Sequence, residues 1–305
     1  MSKKTNSRVD VYTRVTEQII TAIEAGAGSW EMPWHSNSNS ICPVNVETGK
    51  RYRGVNIVSL WAASYNSGYK DPIWGTFKQW SDLGCSVNKG EKASIGVFWK
   101  PLDLDSDPDQ SVEGEATHSR WIARAFPLFN CAQVDGYVVP QRAETPAQER
   151  IERAEQFITS LPADIRHGGS KAFYRQYEDF IQMPPYEVFF DNVYYYSTLA
   201  HELTHWTAHK SRLDRDLAGR FGSENYAFEE LIAELGAAYI AADLELPSDP
   251  RTDNAAYIQS WLKVLKGDTK AIFTAASHAQ RAADYLHSFE QMEPSLRKSP
   301  PAPTL

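Results

Sequence analysis

The stretch "LAHELTHWTAHKSRLDR", residues 199–215, contains the most informative pattern in this chain. It places His201 and His205 four residues apart, with Glu202 directly after the first histidine. Residues four apart share one face of an α-helix, so both imidazoles can reach one metal ion. Glu202 lies about 100° further round the helix, where its carboxylate can reach a water molecule on that ion. The spacing predicts a metal-binding helix with an acid beside the metal.

A catalytic zinc site needs a third protein ligand and one open coordination position. His209 lies about 6 Å further along a straight helix than His205, which is too far for all three histidines to converge. The segment "EELIAE" reads as a buried helix with acids that need a partner. Glu230 and Glu234 share a face there, whereas Glu229 is rotated off it. We predict Glu230 as the third ligand and Glu234 as the acid that orients a ligating histidine, with Glu229 as the main alternative.

Two His and one Glu suit Zn²⁺, although Mn²⁺ or Co²⁺ can occupy such ligands. A bound metal lowers the pKa of its water, and Glu202 is the candidate general base that accepts the proton. The alternative is structural. His201 and His205 would then be hydrogen-bonded in a core, and the acids of the second helix would pair with Arg212 or Arg215.

The order of periodic segments predicts an α+β protein with two domains. An amphipathic helix opens the chain, and a strand at 93–99 pairs with a later strand as an antiparallel ribbon. We place the first, α+β domain at 1–137 and a linker at 138–148, where proline and charge accumulate. A mostly helical second domain with a small sheet follows at 149–292, and 293–305 is predicted to be a disordered tail.

Charge is distributed unevenly along the chain, whose net charge is -8. Residues 1–100 contain 12 Lys and Arg against 8 Asp and Glu, whereas residues 131–305 contain 17 against 25. The acidic stretch "DLDSDPDQSVEGE", residues 103–115, reads as a solvated loop between them. This asymmetry indicates two halves with different roles, of which only the first has the cationic excess that a polyanion needs.

Basic and aromatic residues alternate in two segments of the first half, "GKRYRGVN" and "WGTFKQWSDLGCSVNKGEK". A groove that combines cations with aromatic rings binds single-stranded nucleic acid with little sequence preference. The pattern is weak alone, because most Trp and Tyr residues belong to a core. The candidate DNA contacts are Arg51, Tyr52, Arg53, Asn56, Trp74, Lys78, Trp80, Lys89 and Lys92.

No apolar stretch approaches the length needed to cross a bilayer, and "MSKKTNSRVDVYTR" lacks the apolar segment of a signal peptide. The three cysteines are odd in number and widely spaced, which argues against a disulfide framework and against a Cys-ligated zinc site. We predict a cytoplasmic protein without a membrane partner.

Several long motifs follow one another along the chain, from "DVYTRVTEQIITAIEAGAGSWEMPW" and "TGKRYRGVNIVSLW" to "TLAHELTHWTAHKSRLDRDLAGRFGSENYAFEELIAELGAAYI". Together they make the chain resemble the ArdC-type antirestriction proteins of conjugative plasmids and the related TraC-type plasmid primases. The resemblance implies an N-terminal domain that binds single-stranded DNA and a C-terminal zincin-like metallopeptidase domain. It further implies protection of incoming plasmid DNA from host restriction during conjugation.

Three hypotheses stay open for the metal site. In the first, the site belongs to an active peptidase in an antirestriction protein. In the second, the site is structural and the protein protects DNA by coating it. In the third, it is the active site of a DNA-activated protease that cleaves DNA-bound proteins. A host restriction component or another DNA-bound protein is the expected peptidase substrate.

Overall fold

The computed structural model describes residues 10–27, 32–34, 41–101, 121–140, 145–217, 223–247 and 254–290. These ranges form an α+β structure, as the sequence predicts. The acidic stretch at 103–115 and the predicted tail at 293–305 lie outside the described residues. No helix within the described ranges is both long and apolar enough to span a membrane.

The first half combines three helices with a four-stranded sheet. The helices are α1 (Val11–Gly26), α2 (Val55–Ser67) and α3 (Phe77–Asp82). The strands are β1 (Val44–Asn45), β2 (Ile73–Gly75), β3 (Ser86–Val87), β4 (Ser94–Pro101), β5 (Trp121–Asn130) and β6 (Val134–Asp135). The sheet order is β1-β2-β5-β4, and β3 pairs with β6 in a separate ribbon. The predicted antiparallel ribbon is present as β4 and β5.

The second half is mostly helical and has one small sheet. Its helices are α4 (Ala147–Ser160), α5 (Asn192–Trp206), α6 (Glu224–Asp243), α7 (Asn254–Gly267) and α8 (Ala271–His287). Its strands are β7 (Asp164–His167), β8 (Phe173–Arg175) and β9 (Phe180–Met183). β9 is the central strand, parallel to β7 and antiparallel to β8. Among the described residues no strand pairs with the outer side of β8, which is therefore an edge strand.

Helix α6 occupies the centre of the helical half and contacts α5, α7 and α8. Its residues are buried on all sides from position 229 to 242, as expected of a helix surrounded by other elements. α5 and α6 approach closely at Gly236, where an added Cβ would lie 2.5 Å from Thr204 Cγ2. Only a residue without a side chain fits there, so this glycine sets the distance between the two helices that carry the predicted ligands.

One large core spans the two halves of the chain. It contains the buried face of α1, including Val15 and Ile19, together with residues of α5 to α8. Residues just before α2 also bind the second half directly. Tyr239 Oη donates to the carbonyl of Gly54 at 3.0 Å, and the Gly54 amide donates to Gln280 Oε1 at 3.0 Å. The predicted domain boundaries thus fall between halves that are packed against each other.

Candidate metal centre

Helices α5 and α6 begin at residues that satisfy their free amide groups. Asp191 accepts a hydrogen bond from the Val193 amide at 2.9 Å, and Ser223 accepts one from the Tyr226 amide at 3.2 Å. α5 then extends to Trp206, so His201 and His205, which are four residues apart, lie in one regular helix. The helix ends before His209. The Nδ1 atom of His209 lies 2.7 Å from Ser211 Oγ, and this histidine takes no part in the group of candidate ligands.

Side chains from the two helices meet at a potential metal site formed by His201, His205 and Glu230. One ligand atom from each residue lies within 4.8 Å of the others. The two Nε2 atoms are 3.2 Å apart, and each lies 3.5 Å from a carboxylate oxygen of Glu230. Ligands at zinc bond distances in a tetrahedral site are about 3.3 Å apart. The three residues therefore fit a tetrahedral divalent ion with one position left over.

Glu229 contacts the outer side of this group. Its Oε1 lies 3.3 Å from His205 Nδ1, while Arg215 donates to both of its oxygens at 2.8 and 3.2 Å. Arg215 is itself buried and also donates to Thr207 Oγ1 and to the carbonyl of Thr204. Arg215 therefore pairs with an acid of α6, as the structural alternative proposes, and that acid is Glu229. Glu230 instead faces the histidines.

Glu234 lies behind His201, with Oε2 at 3.7 Å from His201 Nδ1. Its other oxygen accepts a hydrogen bond from Trp34 Nε1 at 3.4 Å. Trp34 is fully buried and comes from the first half of the chain. Each histidine therefore has a carboxylate near its Nδ1 atom, an arrangement that leaves the Nε2 atoms directed at a metal. The sequence pattern indicated the acid but not the tryptophan, since nothing local marks a contact between residues 200 positions apart.

Buried carboxylates raise the pKa of the His205 imidazole. Burial alone lowers the pKa of His205, but its hydrogen bonds with Glu229 and Glu230 outweigh burial and raise that pKa to about 10. Burial alone would raise the pKa of Glu230. Its hydrogen bonds with His201 and His205 outweigh burial and hold the pKa of this carboxyl below its usual value. The anionic surroundings thus favour a cation between the imidazole rings.

A cavity of about 380 Å³ opens onto these residues. Glu202 is buried and lines it together with His201, His205 and Glu230, so the candidate base and the candidate ligands share one chamber. Tyr226 also lines it, one helical turn before Glu230 on the same face of α6. Its position could have been deduced from that four-residue spacing. The remaining lining residues are Ala172, Phe173, Tyr174, Gln176, Leu217, Asn225, Glu229 and Tyr257.

Edge strand β8 forms a wall of this cavity and is anchored to the end of α5 by Arg212. Arg212 donates to Asp179 Oδ2 at 2.9 Å, to Tyr174 Oη at 3.1 Å and to the carbonyl of Trp206 at 2.6 Å. Its guanidinium also lies 3.9 Å above the centre of the Trp206 ring. Asp179 takes a left-handed backbone conformation (φ 54°) in the turn between β8 and β9. These contacts hold the strand in a defined position beside the metal site.

Burial contradicts two of the predicted DNA contacts, Trp74 and Trp80, and a third, the partly exposed Asn56, has a structural role. Trp74 and Trp80 are completely buried, so neither ring can stack on a base. Asn56 uses its side chain to bond the Val97 amide at 2.7 Å and carbonyl at 2.8 Å, joining α2 to the outer edge of β4. The sequence pattern misled here because a buried tryptophan and a stacking tryptophan look alike without tertiary contacts.

The remaining predicted contacts are at least partly exposed, but most are already paired. Arg51 forms an ion pair with Asp243, and Arg53 forms one with Asp284. Within the first half, Lys78 pairs with Asp82 at 2.6 Å, and Tyr52 accepts a hydrogen bond from Asn45 at 3.1 Å. Lys89 and Lys92 are exposed near the start of β4.

Comparison with known families gives one match in each half. A family described as the N-terminal domain of anti-restriction factor ArdC matches residues 9–129. A family described as zincin-like metallopeptidase, MPTase-PolyVal, matches residues 152–278. The two matches lie on either side of the predicted linker at 138–148.

Similar proteins extend this result to nearly the whole chain. The Sinorhizobium fredii protein y4eC is 53% identical over 92% of both chains. The Escherichia coli DNA primase TraC is 38% identical over 92% of this chain, which spans only 27% of that primase. The antirestriction protein ArdC from plasmid R388 is 38% identical and has a TM-score of 0.75, covering 92% of this chain and 98% of that protein. The R388 protein has been solved both Mn(II)-bound and metal-free.

Proposed function

Since this chain belongs to the ArdC family of antirestriction proteins, we propose that it protects incoming plasmid DNA by binding single-stranded DNA and by metal-dependent peptide hydrolysis. The observation that carries the peptidase part is the shared cavity. Glu202, the two histidines and Glu230 all face it, and an edge strand forms one of its walls. A purely structural metal site does not need a nearby acid that is not itself a ligand, and it does not need a cavity through which substrate can reach the metal.

We propose that His201, His205 and Glu230 hold the divalent ion, which is Zn²⁺ or Mn²⁺. The ion, when bound, acidifies a water molecule and polarises a peptide carbonyl. Glu202 accepts the proton of that water, because its buried carboxylate lies in the same chamber. Glu229 and Glu234 orient the two imidazoles from behind. Tyr226, with its hydroxyl beside Glu230, is placed to donate a hydrogen bond to a substrate oxygen.

An extended peptide would bind along the outer side of β8. This edge strand has no strand partner on that side within the described part of the chain, and residues between Ala172 and Gln176 line the cavity of the metal site. Addition of a substrate strand uses main-chain hydrogen bonds, so it accepts irregular sequences. A host restriction component or another DNA-bound protein in the cytoplasm is the proposed substrate.

Metal content tests the ligand set. Purified wild-type protein should contain about one divalent ion per chain by elemental analysis, whereas His201→Ala should contain none. Glu202→Gln is the matched control, because this side chain lines the same cavity but is not a ligand, and it should retain the metal. Wild-type protein without stoichiometric metal would overturn the assignment.

Plasmid transfer then tests the peptidase proposal. Transfer into a restricting host, relative to a non-restricting host, should be high with the wild-type protein and should fall to the unprotected level with Glu202→Gln. The change removes a proton acceptor and leaves the side chain size almost unchanged, so a loss of protection reports chemistry. Full protection by Glu202→Gln would favour the second candidate function, in which DNA is protected by coating and the metal site is structural.

A further inference from the structure

One face of the β4–β5 ribbon presents aromatic rings to the outside. The strand register places Phe98 opposite Arg124, and Gly96 opposite Phe126. Lys100 follows two residues after Phe98 and shares its face, since side chains alternate along a strand. Phe98 is 46% exposed, and its ring centre lies 5.9 Å from that of Phe126. A side chain at Gly96 would meet the Phe126 ring at 2.4 Å, so the glycine lets that ring lie flat on the strand.

Two further aromatic residues pack on the core that supports Phe126. Tyr52 and Tyr69 are partly exposed, and both pack on the same small core as Phe126. That core consists of Leu60, Ala63, Trp74 and Leu128. These three rings therefore rest on buried apolar groups and remain partly exposed. We call the set of Tyr52, Tyr69, Phe98, Phe126, Lys100 and Arg124 the aromatic face.

The two cations of the aromatic face have no acidic partner among the residues that the structure describes. Arg124 and Lys100 are exposed and form no ion pair with any residue in the described ranges. This distinguishes them from Arg51 and Arg53, whose charges are paired with acids of the second half. Lys70, which follows Tyr69 directly, is also exposed and unpaired within those ranges. An anion binding at the face would not have to displace a carboxylate of any residue that the structure describes.

We propose that the aromatic face binds single-stranded DNA, with its rings stacking on bases and with Arg124 and Lys100 pairing with phosphates. The inference rests on the proposed DNA binding and assigns the stacking to exposed rings instead of the buried Trp74 and Trp80. Exposed rings select single strands because a duplex keeps its base faces stacked inside, whereas cations alone would bind both forms.

Two substitutions separate the stacking and phosphate contributions. Phe98→Ala should weaken binding of a labelled oligothymidine by about 5- to 100-fold at every salt concentration. Arg124→Glu should also weaken binding, and the slope of log affinity against log salt should become shallower by about 0.7 for the lost phosphate contact. Both positions are exposed, so the variants should keep the wild-type midpoint of thermal unfolding.

The controls are matched in chemistry and differ in place. Trp121→Ala removes an exposed ring, 57% accessible, from the opposite face of the same ribbon, and Lys263→Glu reverses an exposed charge on α7. Both should bind with wild-type affinity and salt slope. A duplex of equal length should bind the wild type more weakly and should respond little to Phe98→Ala.

The outcomes distinguish this inference from the proposed function. If the wild type binds oligothymidine and the Phe98 and Arg124 variants bind equally well, the aromatic face is wrong and DNA binding stands. Loss with Trp121→Ala but not with Phe98→Ala would likewise overturn the assignment of this face. If the wild type does not bind single strands at low salt, the DNA part of the proposed function fails and the inference fails with it.

Discussion

Replacing Arg215 by Met tests how far the site depends on its outer ion pair. The side chain of Arg215 is 4% exposed and that of Glu229 is 8% exposed, so neither charge is solvated by bulk water. Removing one partner of a buried pair leaves the other charge uncompensated, which costs about 3–5 kcal/mol. Methionine keeps most of the apolar volume, so the expected loss in free energy of unfolding comes from the broken ion pair and from the lost hydrogen bonds to Thr204 and Thr207.

Urea unfolding in the presence of a chelator measures this loss, because bound metal would add its own stabilisation to the folded state. Lys263→Met is the control. Lys263 pairs with Glu224 at 2.9 Å, but the two side chains are 73% and 69% exposed, so its loss should cost about 1 kcal/mol or less. The difference between the two variants isolates the effect of burial.

A second substitution separates charge from packing. Adding Glu229→Gln to Arg215→Met removes the uncompensated carboxylate, so the double variant should lose less stability than the two single variants combined, by about 1–3 kcal/mol. Strict additivity, or a loss below about 1 kcal/mol with Arg215→Met alone, would refute the view that this buried pair holds the carboxylate behind His205.

Two further substitutions test the contacts that shape the site. Trp34→Phe should lower metal affinity by about 10-fold or more in a chelator competition, because it removes the hydrogen bond to Glu234. The control is Trp261→Phe, at a neighbouring buried ring whose Nε1 has no hydrogen bond among the described residues. This control should leave the metal affinity unchanged. Equal affinities would contradict this role. Gly236→Ala should lose stability in urea, because overpacking costs about 1–3 kcal/mol and outweighs a helix-propensity gain of about 1 kcal/mol. The loss should be smaller with Thr204→Ala in the same chain, and a Gly236→Ala variant as stable as the wild type would refute the close approach.

Local periodicity was sufficient to predict the elements that carry the site. The four-residue spacing of His201 and His205 requires only a regular helix, and Glu230 and Glu234 are related in the same way. The two helices then had to be brought together by tertiary packing, for which the sequence offered only indirect signals. One such signal was the presence of acids in an otherwise apolar segment, which need partners when buried.

Burial of aromatic residues could not be predicted in the same way. Trp74 and Phe98 both lie in or beside strands, yet the first is fully buried and the second is 46% exposed. The difference arises from the sheet order and from the helix that covers each position, which are set by contacts between distant segments. Alternation of basic and aromatic residues therefore indicated a cationic, aromatic surface in the first half without identifying its members.

The same long-range contacts make the metal site dependent on the first half of the chain. Trp34 supplies a hydrogen bond to the acid behind His201, and α1 contributes to the core that surrounds α6. Arg51 and Arg53 add ion pairs to Asp243 and Asp284. A fragment limited to the second half would expose the apolar surface that α1 covers and would lose these partners. We therefore expect metal binding to require both halves of the chain, although every candidate ligand lies on two helices.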